Sequence, residues 1–185
     1  MSSSDGSFGG AERSLWIFGY GSLLFRPGFP YEERVSATVY GYQRRLDQGS
    51  PDHRGTPDRL GRVATLIRAP CASAGGAVYR VADRDREAVL KELDHREKGG
   101  YDRIEIDAFL LDGRGSVRAT TWIASPDNPY HLGPAETFAM VAQIRASMGP
   151  SGSNVEYVLK LAATLRDLGI DDPHIDEIAR ALSGI

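Results

Sequence analysis

Leu15-Trp16-Ile17-Phe18-Gly19-Tyr20-Gly21-Ser22-Leu23 is the stretch from which the fold is read. Its apolar run ends at Gly19, which reads as a buried strand entering a tight turn. Further along, Val35 to Tyr42 is β-branched and aromatic and reads as a second strand. Arg62–Ile67 and Gly76–Val81 read as two more, joined by a turn at Pro70 and Gly75. Arg103 to Leu110 alternates, with Ile104, Ile106, Ala108 and Leu110 on one face and Arg103, Glu105 and Asp107 on the other. Asp112-Gly113-Arg114-Gly115 is a turn, and Val117 to Ala124 is its hairpin partner.

Helical spacing appears first at Asp83–Arg96. Val89, Leu90 and Leu93 share a face there, Asp83 suits the N-cap, and Gly99-Gly100 stops the helix. It dominates the last third of the chain. Pro134 suits a first turn, and Phe138, Val141, Ile144 and Met148 form a stripe. Ser153 with Glu156 has capping-box spacing ahead of Val158, Leu161, Leu165 and Leu168. Asp172-Pro173 opens a final helix carrying Ile175, Ile178 and Leu182. Strands first and helices last define an α+β order, distinct from repeated βαβ units. Gln48 to Gly61, rich in Gly, Pro, Asp and Ser, reads as a long loop that closes over a bound substrate.

The 185 residues suffice for one domain, expected over residues 14–185 after a Ser/Gly-rich flexible tail at 1–13. With 22 basic and 25 acidic residues the net charge is -3, so no basic excess points to nucleic acid or an anionic membrane. Cys71 is the one cysteine, which rules out an internal disulfide and a cysteine-type zinc site. His53, His95, His131 and His174 lie too far apart to pair on one helix face, so no metal site is expected. The tail lacks a basic-then-apolar secretory pattern, and no apolar run approaches the roughly 20 residues of a membrane span. A cytoplasmic protein is expected.

Four segments carry residues suited to chemistry. Gly19-Tyr20-Gly21-Ser22-Leu23 can bring backbone N–H groups close to an anion, though alone it reads as a plain strand-ending turn. Leu24 stands where a dinucleotide fingerprint needs its third glycine. Glu97 follows a helix whose negative end would raise a carboxyl pKa, while Arg96 and Lys98 push the other way. Alone, that segment reads as a solvated helix end. Asp52 and His53 lie in the polar loop, but no G-x-S-x-G elbow frames Ser22 as a hydrolase nucleophile. Tyr157, beside an apolar helix stripe, reads as a core tyrosine.

Taken in order, the segments resemble a known family. Phe18-Gly19-Tyr20-Gly21-Ser22-Leu23, Gln48-Gly49-Ser50 with Asp52-His53-Arg54-Gly55, and Gly61-Arg62-Val63 come first. Arg96-Glu97-Lys98-Gly99-Gly100-Tyr101, Pro126-Asp127-Asn128-Pro129-Tyr130 and Gly149-Pro150-Ser151-Gly152 with Asn154 and Glu156-Tyr157 follow. Together they are similar to the ChaC-type, glutathione-specific γ-glutamylcyclotransferases from about Trp16 to Leu182.

The resemblance implies a small mixed β-barrel with helices packed outside. It implies cleavage of glutathione, a small-molecule substrate, to 5-oxoproline and Cys-Gly with no cofactor, metal or water consumed. It implies that Glu97 is the catalytic carboxylate and that the Gly19-Tyr20-Gly21-Ser22-Leu23 turn holds the γ-glutamyl group. Arg62 is expected to pair with a substrate carboxylate and Tyr157 to hydrogen-bond the substrate. Two alternatives stand beside this: a cyclotransferase for other γ-glutamyl amines, and a non-catalytic regulatory binding protein. The chain departs from the family pattern at Leu46-Asp47, where an aromatic pair is expected, and at His95. Asp47 is expected beside the pocket, where it would alter selectivity.

Overall fold

A computed structural model describes residues 14–184, so the expected tail at 1–13 lies outside the described residues. Five strands close a barrel in the order β1-β3-β2-β4-β5. They are β1 (Leu15–Gly19), β2 (Glu33–Ser50), β3 (Gly61–Val81), β4 (Tyr101–Leu110) and β5 (Ser116–Ala124). Neighbours are antiparallel except β1 and β5, which meet in parallel at Ile17 and Thr120 and make the barrel mixed. Ile17, Phe18, Val39, Leu66, Val78, Tyr79, Ala108 and Ala119 are buried.

The β4–β5 hairpin matches its alternation, with Ile106, Ala108 and Leu110 buried and Arg103, Glu105 and Asp107 exposed. The expected turn at Pro70–Gly75 is instead part of one bent strand of 21 residues. The register passes from Tyr40↔Ser73 to Tyr42↔Arg68, so residues 69–72 bulge out opposite Gly41. Pro70 lies in that bulge, where its missing N–H removes no ladder bond. Strand β2 likewise runs on to Ser50, so the long loop is shortened to residues 51–60.

Four helices surround the barrel: α1 (Arg86–Arg96), α2 (Thr137–Ala146), α3 (Asn154–Asp167) and α4 (Pro173–Ser183). Asp83 belongs to a 3-10 turn before α1 and does not cap it; Asp85 holds the N-cap position. Pro134 precedes α2 rather than starting it. The expected α2 stripe is also shifted, for Met140, Val141 and Ile144 are buried while Phe138 and Met148 are exposed. The capping-box expectation holds at α3, where Ser153 Oγ accepts from Glu156 N at 3.1 Å. Asp172 Oδ1 accepts from Ile175 N at 3.1 Å and caps α4. Helices α2, α3 and α4 pack on one another and on β2 and β3. Helix α1 packs Val89 and Leu93 into the core and delivers its C-terminus to the barrel mouth.

Candidate active site

A cleft of about 340 Å³ opens where the turn after β1, the 49–54 segment and the end of α1 meet. It continues into a smaller pocket of about 40 Å³ lined by Tyr20, Gly21, Leu23 and Trp122. Ser22, Glu97, Tyr101 and Tyr157 line both.

The turn is built by its first glycine. A Cβ on Gly19 would lie 2.9 Å from Leu23 Cβ, so the chain folds back tightly only with glycine there. Ser22–Leu24 then forms one 3-10 turn, with Leu24 N bonded to Gly21 O at 3.0 Å. The first N–H groups of such a turn have no acceptor within it. Tyr20 is committed elsewhere, donating its hydroxyl proton to Trp122 O at 2.6 Å.

Glu97 is the C-cap residue of α1, its backbone N bonded to Leu93 O at 2.9 Å. Its side chain is 18% exposed, with Oε1 3.4 Å from Arg96 Nε. Burial pushes the carboxyl pKa up, Arg96 pulls it down, and the Asp52 carboxylate pushes it up again. Loss of water, rather than the helix end, is the leading cause. After Glu97 the chain must turn sharply into β4, and Gly100 takes φ +98 to do it. Asn128 packs there, where any Cβ would lie 2.5 Å from its Oδ1.

Arg96 is bound on several sides. Its Nη2 donates to Ser22 Oγ at 2.9 Å, and Nη1 donates to Arg26 O at 3.1 Å and Pro27 O at 3.0 Å. Tyr157 Oη accepts from Ala64 N at 3.0 Å, which leaves its own proton free to donate. Burial pushes its pKa up to about 12, so it stays a protonated donor at neutral pH. Tyr101 donates to Ala64 O at 2.9 Å beside it.

The structure therefore brings Tyr20, Gly21, Ser22 and Leu23 together with Glu97 and Tyr157, with Gly19 as the hinge of the turn. Arg62 is not among them. Its Nη1 donates to Leu46 O at 2.9 Å and Gly133 O at 3.0 Å, and its Nε to Gln143 Oε1 at 2.7 Å. It ties the strand to the helical layer and does not line the cleft. Asp47 is buried and faces a separate groove with Arg45 and His131, so the expectation that it borders the reacting pocket is corrected. Residues 51–60 are pinned rather than free. Ser151 N donates to His53 O at 3.0 Å, and Arg54 Nη1 to Glu156 Oε2 at 3.0 Å and Ser153 O at 3.1 Å. These bonds hold His53 and Arg54 against residues 151–156 at the edge of the cleft. His53 Nδ1 lies 3.2 Å from Ser151 Oγ and Ser22 Oγ is held by Arg96, so no serine triad is assembled. The sequence reading gave no role to Arg96 at Ser22 or to Tyr101, because both contacts cross long stretches of chain.

This closed mixed barrel, with the half-buried Glu97 and the glycine turn at one cleft, has a fold shared with a γ-glutamylcyclotransferase. The yeast glutathione-specific γ-glutamylcyclotransferase superposes with a TM-score of 0.86 at 28% identity, covering 94% of this chain and 97% of that one. Residues 15–183 match the ChaC-like protein family, and the chain belongs to it. The zebrafish protein glutathione-specific γ-glutamylcyclotransferase 1 is 42% identical over 174 residues, covering 91% of this chain and 89% of its own. The human protein of the same name is 39% identical over 178 residues, covering 94% of this chain and 80% of its own.

Proposed function

We propose that this protein cleaves glutathione to 5-oxoproline and Cys-Gly, with Glu97 as general base and then general acid. The observation that carries the reading is Glu97 itself: a carboxylate largely removed from water, at the junction of cleft and inner pocket, opposite the Gly21–Leu23 turn. The names of its relatives support the substrate.

The chemistry needs little else. The γ-glutamyl α-ammonium has no lone pair until a base removes a proton, and a carboxylate with a raised pKa accepts it more readily. The freed amine attacks the γ-carbonyl of the same molecule and forms the ring C–N bond. The old amide C–N bond then breaks, and Glu97 returns the proton to the leaving Cys-Gly amine. No water is consumed. Holding the substrate folded for ring closure supplies up to about 7–11 kcal/mol in favourable systems. The tetrahedral oxyanion falls to the N–H groups of the Gly21–Leu23 turn, a type of donor worth roughly 3–4 kcal/mol each. Tyr157 is a hydrogen-bond donor to the substrate. Arg62, with its guanidinium engaged by the framework, holds the barrel to the helices and supports the site from behind. No helix among the described residues is long and apolar enough to cross a membrane. A free, exposed Cys71 suits a reducing compartment such as the cytoplasm.

The test is to incubate wild-type protein and Glu97→Gln with reduced glutathione and follow both products by mass spectrometry. Equimolar 5-oxoproline and Cys-Gly from wild type and almost none from the variant is the expected result. No product from wild type, with products from other γ-glutamyl amines, would replace glutathione as the substrate. No turnover of any would overturn the enzymatic reading.

A further inference from the structure

The cations lining the cleft are Arg26, Arg54 and Arg96. Arg54 is engaged by Glu156 and Ser153, and Arg96 by Ser22, Glu97 and two backbone carbonyls. The Arg26 guanidinium, exposed on the rim, has no hydrogen-bond acceptor or carboxylate partner among the described residues. Its backbone, in contrast, is fixed at both ends. Arg26 N donates to Ser22 O at 2.8 Å, and its carbonyl accepts from Arg96 Nη1 at 3.1 Å. Pro27 follows and restricts the Arg26 backbone further. So a free guanidinium fork hangs from a rigid mount, and the residue that builds the mount is the one that contacts Glu97.

We infer that Arg26 binds the C-terminal carboxylate of the leaving dipeptide, and so selects γ-glutamyl peptides over γ-glutamyl amines and amides. The inference rests on the cyclotransferase reading above. With the reacting carbonyl at Glu97, the two residues beyond the scissile bond extend about 7 Å. Arg96 Nε lies only 3.4 Å from Glu97 Oε1, so a carboxylate two residues past the reacting carbonyl lies beyond Arg96, toward the exposed Arg26. Asp52 and Glu92 also line the cleft and repel an anion from the other walls, which directs it toward Arg26. A planar guanidinium takes a carboxylate through two parallel N–H···O bonds. The uncompensated charge of Arg26 already acts on its neighbour, where it helps lower the Arg96 pKa behind the leading effect of burial. A bound carboxylate relieves that repulsion.

The test compares two substrates: glutathione, and glutathione whose glycine carboxylate is replaced by a primary carboxamide. Wild type should show a KM for glutathione about 5–10-fold lower than for the carboxamide, a modest gain because the rim is solvated and screened. Arg26→Gln should raise the glutathione KM to the carboxamide value, with kcat and the carboxamide KM unchanged. Arg26→Lys should restore part of the difference, and 0.5 M salt should erode it in wild type. Equal KM values for both substrates in wild type, or an equal rise for both in Arg26→Gln, would overturn this inference and leave the reaction standing. Turnover of neither substrate by wild type would overturn the cyclotransferase reading and this inference with it.

Discussion

Arg96 Nη2 donates to Ser22 Oγ at 2.9 Å, joining the end of α1 to the turn after β1 across 74 positions of sequence. The same guanidinium lies 3.4 Å from Glu97 through Nε. One side chain thus fixes the spacing between the proposed base and the proposed oxyanion-binding turn. Misplacing reacting groups by an ångström can cost about 100-fold in rate. Arg96→Lys keeps the charge but loses the fork to Ser22, Arg26 O and Pro27 O, so kcat should fall about 10–100-fold and the melting temperature should fall with it. Wild-type kcat in that variant would show that the spacing is set elsewhere.

Two charges tune Glu97 in opposite senses, and their removal should move the pH profile in opposite directions. Asp52 raises the Glu97 pKa and Arg96 lowers it. With Glu97 as the proposed base, the ionised carboxylate is the active form, so the acid limb of kcat/KM should lie above the ordinary glutamate range. Asp52→Asn should move that limb to lower pH, and Arg96→Gln should move it higher. The readout is kcat/KM for glutathione from pH 4 to 9. Shifts of the same sign in both variants would mean that the limb reports another group.

Glu97→Gln separates function from stability. A carboxyl whose folded pKa is raised contributes stability at low pH, which is lost as pH rises through the folded value. At pH 7 the ionised group therefore costs stability, which Arg96 partly offsets. Turnover in the variant should fall by about 10²–10⁴, the usual share of a general acid–base group. Its melting temperature at pH 7 should equal or exceed that of wild type, with the gap closing toward pH 4. A large drop in melting temperature would attribute the lost activity to unfolding.

Tyr157 has a double duty, accepting from Ala64 N at 3.0 Å while facing the cleft. Tyr157→Phe leaves a buried N–H without its acceptor, which costs about 1–3 kcal/mol. Urea denaturation should show that loss, and KM for glutathione should rise as well. A stability loss with unchanged KM would confine Tyr157 to the framework.

Much of this was legible in local pattern. The β4–β5 alternation, the Ser153 cap and the glycine turn after β1 each depend on neighbours a few residues apart, and the structure matches them. Closure of the barrel was not local: Ile17 meets Thr120 through a single bridge, and only the family resemblance anticipated it. Arg62 misled for the same reason. A buried arginine whose partners are Leu46 O, Gly133 O and Gln143 has no signature separating it in sequence from one that awaits a carboxylate. Pro70 suggested a turn because a bulge and a turn use the same residues, and only the opposite strand distinguishes them.

His174 links the last helix to the site and should make the protein acid-sensitive. Leu46 N donates to His174 Nε2 at 3.1 Å, so that nitrogen must be unprotonated. Burial holds the imidazole pKa down and Arg45 pushes the same way, against weaker opposite pulls from Asp172, Asp47 and Glu177. A histidine with a depressed folded pKa contributes stability that is complete above its unfolded value, about 6.5, and is lost as pH falls through the folded value. The consequence extends beyond α4. Asp172, at its N-terminus, pairs with Arg44 Nη1, and Arg44 Nε donates to Tyr20 O at 2.8 Å in the turn after β1. Protonating His174 loosens α4, and through Arg44 it loosens the turn. The melting temperature should therefore fall as pH drops below about 6.5. His174→Gln supplies an amide oxygen for Leu46 N with no group to protonate, so its melting temperature should vary less over the same range. An equally steep acid loss in that variant would assign the sensitivity to another group.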